Sequence, residues 1–75
     1  MTPDAKMASE LLGSSWEVYV PVNGRKRPML VKTRNGRRTS EAVDLTHDTV
    51  LELHELGMIK KRVSRRSMTI YQGIK

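Results

Sequence analysis

The sequence predicts a small α+β fold of antiparallel β-hairpins with two to three helices. Three observations carry this. Apolar side chains alternate along residues 16–22, they recur at spacings of three and four along 42–56, and Asn-Gly pairs stand at 23–24 and 35–36. Alternation is the period of a half-buried strand, and spacings of three and four mark a helix face. Asn-Gly favours a two-residue hairpin turn because both residues tolerate positive φ. The 75 residues make a single domain, 1–75. Its core is thin, since a chain of this size removes only roughly 60–65% of its unfolded surface from water.

The elements follow in order from local chemistry. Residues 1–14 read as a short N-terminal helix or a frayed tail. Thr2 is placed to cap, Pro3 takes the first helical position and Asp4 meets the positive end of the dipole. Ala5, Ala8, Leu11 and Leu12 recur at helical spacing, and Gly13 ends the run. Residues 16–38 form a basic β-hairpin region. Trp16, Val18, Val20 and Val22 point one way, and Glu17, Tyr19 and Pro21 the other, with Pro21 suggesting an edge strand. A tight turn at Asn23-Gly24 sets Val18 opposite Met29 and Trp16 opposite Val31, all on one apolar face. A second turn is expected at Asn35-Gly36.

Residues 40–57 read as an acidic amphipathic helix or a helix-turn-helix, with Ala42, Leu45, Thr49, Leu53 and Leu56 as its apolar stripe. Either Ser40 caps one long helix or Thr46 caps a shorter one, and Gly57 sits at its C-terminal end. Residues 58–73 form a second basic hairpin, a strand from Met58-Ile59, a turn over 60–66 and a returning strand at Met68-Thr69-Ile70-Tyr71. The core is expected around Trp16, the one tryptophan, with Met29 and Met58 as gap fillers.

Charge is the main functional signal. Lys and Arg number 14 against 8 Asp and Glu, a net charge of +6, and they fall in blocks. Residues 25–38 carry Arg25, Lys26, Arg27, Lys32, Arg34, Arg37 and Arg38 without an acid. Residues 39–59 carry Glu41, Asp44, Asp48, Glu52 and Glu55 without a base. Residues 60–66 carry Lys60, Lys61, Arg62, Arg65 and Arg66. Two concentrated basic blocks suit a polyanion, and nucleic acid is the commonest in a cytoplasm. The sequence excludes a disulfide framework and a thiolate metal site, having no Cys. No apolar run approaches the roughly 20 residues of a membrane span, and residues 1–15 lack the pattern of a secretory signal, so a cytoplasmic protein is expected. No nucleophile with a base, phosphate loop or ligand cluster is present, so no enzyme activity, cofactor or small-molecule ligand is expected.

Residues 42–71 include Leu45-Thr46-His47-Asp48-Thr49-Val50, Leu56-Gly57-Met58-Ile59-Lys60-Lys61-Arg62 and Met68-Thr69-Ile70-Tyr71. This order resembles the second half of a winged helix-turn-helix DNA-binding domain, of the short mercury-resistance-regulator and excisionase type. The resemblance implies a recognition helix opened by the Leu-Thr segment, followed by a basic wing, in a winged-helix-like fold. A second, weaker resemblance covers residues 16–42. Trp16, Val22-Asn23-Gly24-Arg25-Lys26-Arg27, Val31-Lys32-Thr33 and Glu41-Ala42 look like the arm-binding domain of tyrosine recombinases. That resemblance implies a three-stranded sheet that reads DNA, packed on one helix. The charges bear on the choice, because Asp48, Glu52 and Glu55 would weaken binding if their helix lay against phosphates.

The expected function is a small nucleic-acid-binding protein, a DNA-binding transcription regulator or recombination accessory factor. Its phosphate contacts are Arg25, Lys26, Arg27, Lys32, Arg34, Arg37 and Arg38 on one surface and Lys60, Lys61, Arg62, Arg65 and Arg66 on another, with duplex DNA as partner. Ser64 and Ser67 flank Arg65-Arg66 as further phosphate donors, and Tyr19 is a candidate for stacking on a base. His47 and His54 lie seven apart, roughly 10 Å along a helix, too far for one metal ion. With Leu51 they form a possible partner or dimer contact. The alternatives are a phage- or plasmid-type protein-interaction module or inhibitor that binds an acidic protein surface, and an RNA-binding protein.

Overall fold

The computed structural model describes residues 2–22 and 26–74. Helix α1 (Pro3–Leu12) leads into strands β1 (Trp16–Pro21), β2 (Met29–Arg34) and β3 (Arg37–Asp44). Helix α2 (His47–Glu55) and the hairpin β4 (Ile59–Ser64) and β5 (Met68–Gly73) follow. The strands form one antiparallel sheet in the order β3-β2-β1-β5-β4. An α+β fold with antiparallel hairpins and two helices is therefore present. The sheet has five strands rather than three, and two helices rather than one lie against it. In the order that the winged resemblance implies, α2 is followed by a hairpin, but a strand, not a helix, leads into α2.

Both helices are built by their caps and their buried faces. The Thr2 hydroxyl accepts from the Ala5 N–H at 3.2 Å, Pro3 stands at the start of α1, and Ala5, Ala8 and Leu12 are buried. The Thr46 hydroxyl accepts from the Thr49 N–H at 3.1 Å. Of the two cap positions expected for α2, Thr46 holds, and the helix opening at Ser40 is corrected. Residues 40–44 continue β3, where Val43 pairs with Leu30, so Ala42 leaves the helical stripe. The stripe itself is Leu45, Thr49, Val50 and Leu53, with Leu56 exposed. α2 stops in a Schellman arrangement. The Met58 N–H donates to Leu53 O, the Gly57 N–H donates to His54 O, and Gly57 takes the positive φ of 69° that this cap requires.

The first hairpin differs from expectation by one residue. Val18 stands opposite Leu30 and Trp16 opposite Lys32, not opposite Met29 and Val31. A one-residue slip reverses the side on which every β2 side chain falls. Leu30 therefore joins Val18 on the helix side, while Met29 and Val31 go to the other. The Asn23-Gly24 turn lies outside the described residues. At Asn35-Gly36 the two-residue turn forms, with φ of 55° and 77° and Arg34 paired with Arg37. Pro21 does not mark an edge. β1 is the central strand, and Pro21 is its last residue.

The main core lies between the helices and the sheet. It gathers Ala5, Ala8, Leu12, Val18, Leu30, Leu45, Val50, Leu53 and Ile59. Leu30, Leu53 and Val18 are its largest fully buried side chains, whereas Trp16 is half-buried at its margin. Gly73 of β5 runs against α1 so closely that a Cβ there would lie 3.1 Å from Leu12 Cβ. The second face of the sheet carries its own small cluster of Tyr19, Val31 and Ile70, flanked by Met29, Val63 and Met68. No helix is long and apolar enough to cross a membrane among the described residues.

Candidate nucleic-acid interface

The helix-free face of the sheet follows from strand register. Two rows of side chains cross it, Lys60–Gln72–Glu17–Val31–Ala42 and Val63–Ile70–Tyr19–Met29–Asp44. Tyr19, Val31 and Ile70 are buried, although no helix lies over them. Met29, Val63 and Met68 pack against them, and Arg38 lies over Tyr19. The Arg38 guanidinium carbon stands 5.7 Å from the Tyr19 ring centroid, a cation–π contact that fixes the arginine over the ring. Arg62, on the far edge strand, donates through Nε (2.5 Å) and Nη2 (3.2 Å) to the Glu17 carboxylate.

These side chains border one concavity of about 370 Å³, lined by Tyr19, Gly36, Arg38, Arg62, Arg65, Ser67, Met68 and Ile70. Its floor is apolar and its rim is guanidinium. Arg65 reaches it from the β4–β5 turn, where its N–H donates to Met68 O at 2.7 Å. The two basic blocks, which the sequence assigns to separate surfaces, thus meet across the open face. Arg38 comes from one, and Arg62 and Arg65 come from the other.

The remaining candidates are distributed around this centre. Lys26 and Arg27 are exposed in the β1–β2 connection, and Arg25 lies outside the described residues. Arg34 and Arg37 bracket the Asn35-Gly36 turn and, with Asn35, Arg38 and Thr39, line a neighbouring concavity of about 500 Å³. Lys60 lies in a row of the open face, and Arg66 is exposed in the β4–β5 turn. Lys32 and Lys61 fall on the helix side by register, opposite Trp16 and Tyr71. Lys32 is also paired with Glu41 at 3.3 Å.

The acids of α2 lie on the opposite layer. Glu52 accepts from the Thr2 N–H at 3.0 Å and from its hydroxyl at 3.1 Å, tying the start of α1 to α2. Asp48 and Glu55 are exposed. His54 packs edge-on against Tyr71, with ring centroids 4.6 Å apart, while His47 and Leu51 remain exposed beside it. Tyr19 is not a stacking platform, because its ring is buried under Arg38. Sequence reasoning missed Glu17 as a member of the site. The available signal is a lone acid on a strand face, alternating with core residues, ahead of the first basic block. Comparison with protein-family models, curated proteins and solved structures finds no match for the chain.

Proposed function

We propose that the protein binds nucleic acid, duplex DNA in the first instance, through the open face of its sheet. The observation that carries this reading is the convergence of Arg38, Arg62 and Arg65 on one concavity. Guanidinium groups match the geometry of phosphate oxygens, and a cluster held by neighbouring side chains loses less freedom on binding than a solvated one. The layer that carries Asp48, Glu52 and Glu55 faces away, which leaves Glu17, bound to Arg62, and Asp44, at the end of β3, as the carboxylates that the register places on the open face.

The three aromatic side chains support backbone contact over base stacking. Tyr19 is buried, and Trp16 and Tyr71 belong to the helix-side cluster. A protein that grips single strands by stacking presents aromatic rings to the bases. The winged resemblance carries the expectation that the β4–β5 turn, with Arg65 and Arg66, acts as a basic wing. On that resemblance rests the further expectation of a regulator or recombination accessory factor.

Fluorescence anisotropy with a labelled duplex across a salt series tests the proposal. The expected result is tight binding at ~50 mM salt with a linear fall in log affinity against log salt, the mark of phosphate contacts that release counterions. Absence of binding at that salt concentration overturns it. Stronger binding to structured RNA than to DNA in competition would transfer the same face to RNA.

A further inference from the structure

The basic face keeps one acid at its centre. Glu17 stands in the row between Gln72 and Val31 on the middle strand. Its side chain is 12% exposed, whereas that of its partner Arg62 is 40% exposed. The carboxylate therefore lies in the floor and the guanidinium above it. The pair engages the Nε and Nη2 edge of Arg62 and leaves the remaining N–H groups of the guanidinium directed away from Glu17. A carboxylate that competed with phosphate would cover the outward donors, and this one braces the inner edge.

The backbone supports the same arrangement. The β4–β5 register shifts between Lys61, opposite Tyr71, and Val63, opposite Ile70. Arg62 is the extra residue of this bulge, and bulges re-aim the side chains they carry. Lys61 points to the helix side, while Arg62 and Val63 both serve the open face.

We propose that Glu17 is a positioning residue of the nucleic-acid face: it holds Arg62 so that its outward N–H groups meet a backbone phosphate. The inference rests on the nucleic-acid reading above. Removing a negative charge from a polyanion-binding face ordinarily tightens binding, but here it weakens it, because Arg62 loses its brace.

The test is anisotropy with duplex DNA on the wild type, Glu17→Gln, Arg62→Lys, Arg62→Gln and the double variant, with thermal melts to confirm folding. Glu17→Gln is expected to bind about eightfold more weakly at ~0.1 M salt, the worth of one phosphate contact with a slope of about 0.9. Arg62→Lys keeps the charge but cannot form the two-point pair, so it is expected to weaken binding similarly. It also serves as the test should Glu17→Gln fail to fold. The double variant is expected to bind no more weakly than Arg62→Gln. Equal or tighter binding by Glu17→Gln, undiminished binding by Arg62→Lys, or a further loss in the double variant overturns the role of Glu17 while the nucleic-acid reading stands. A wild type that does not bind removes both.

Discussion

Replacing Arg38 and Arg65 together by glutamine separates local recognition from bulk charge. Both residues line the concavity, and among the described residues neither has an acidic partner within 4.0 Å. Each is therefore free to neutralise one phosphate. Counterion release assigns about 0.9 of salt slope to each such contact, so the double variant should lose about 1.8 in slope. At ~0.1 M salt that corresponds to about 60-fold in affinity, or about 2.4 kcal/mol. The charge-matched control is Lys6→Gln with Lys61→Gln. Lys6 is exposed on α1, and Lys61 projects to the helix side of β4. Its slope should stay near that of the wild type. The assay is anisotropy with one duplex from ~50 to 200 mM salt, with melting curves to confirm that loss of the Arg38–Tyr19 contact leaves the fold intact. Equal losses in the two variants would show that net charge alone drives binding, and an unchanged slope in Arg38→Gln/Arg65→Gln would remove the concavity from the interface.

Three stability predictions test the fold beneath the site. Leu53→Ala empties a fully buried position between α2 and the sheet and should cost about 2–5 kcal/mol in urea unfolding. Gly73→Ala places a methyl 3.1 Å from Leu12 Cβ and 3.2 Å from the Leu12 carbonyl oxygen. It should lower stability by about 1–3 kcal/mol by pushing α1 off β5, and an unchanged melting temperature would show that α1 is not held there. Thr46→Ala removes the cap of α2 and leaves the buried Thr49 hydroxyl without its 2.9 Å partner. The expected loss is about 1–2 kcal/mol by thermal melting, with helix content reduced in circular dichroism.

The caps, the helix ends and the second turn were readable because they depend on neighbouring residues. Thr2-Pro3, Thr46, Gly57 and Asn35-Gly36 each meet a local backbone requirement, and each does so in the structure. What failed depended on partners distant in sequence. The apolar positions Ala42 and Leu45 fit a helical stripe, yet Ala42 lies in β3, opposite Val31, where pairing across the sheet overrides a weak local preference. The β1–β2 register differs by one residue from the one that a two-residue turn at Asn23-Gly24 would set. The observed pairing instead gives the sheet two apolar faces, Val18 and Leu30 on one and Tyr19 and Val31 on the other. Lys32 and Lys61 belong to the basic blocks yet fall on the helix side, since charge along the chain carries no record of the face on which a strand residue falls.

The charge blocks gain their meaning from the chain path. β3 and β4 are the two edges of the sheet, so the segment joining them must cross the whole sheet on one side. The segment through α2 makes that crossing, with Leu45 just before the helix and Val50 and Leu53 on it packed in the core, which leaves Asp48 and Glu55 directed outward on the helical layer. The three acids of α2 are thereby carried to the back of the molecule by the connection itself, while Asp44 stays in β3. The basic segments at its two ends are delivered to opposite edges, from which Arg38 and Arg62 reach over the apolar floor of the other face. Separation of sign between the two faces is thus a product of topology, and a strand order that placed β4 beside β3 would lose it with the same composition. A net charge of +6 understates what a phosphate approaching the open sheet would meet, because most of the compensating acids lie behind it.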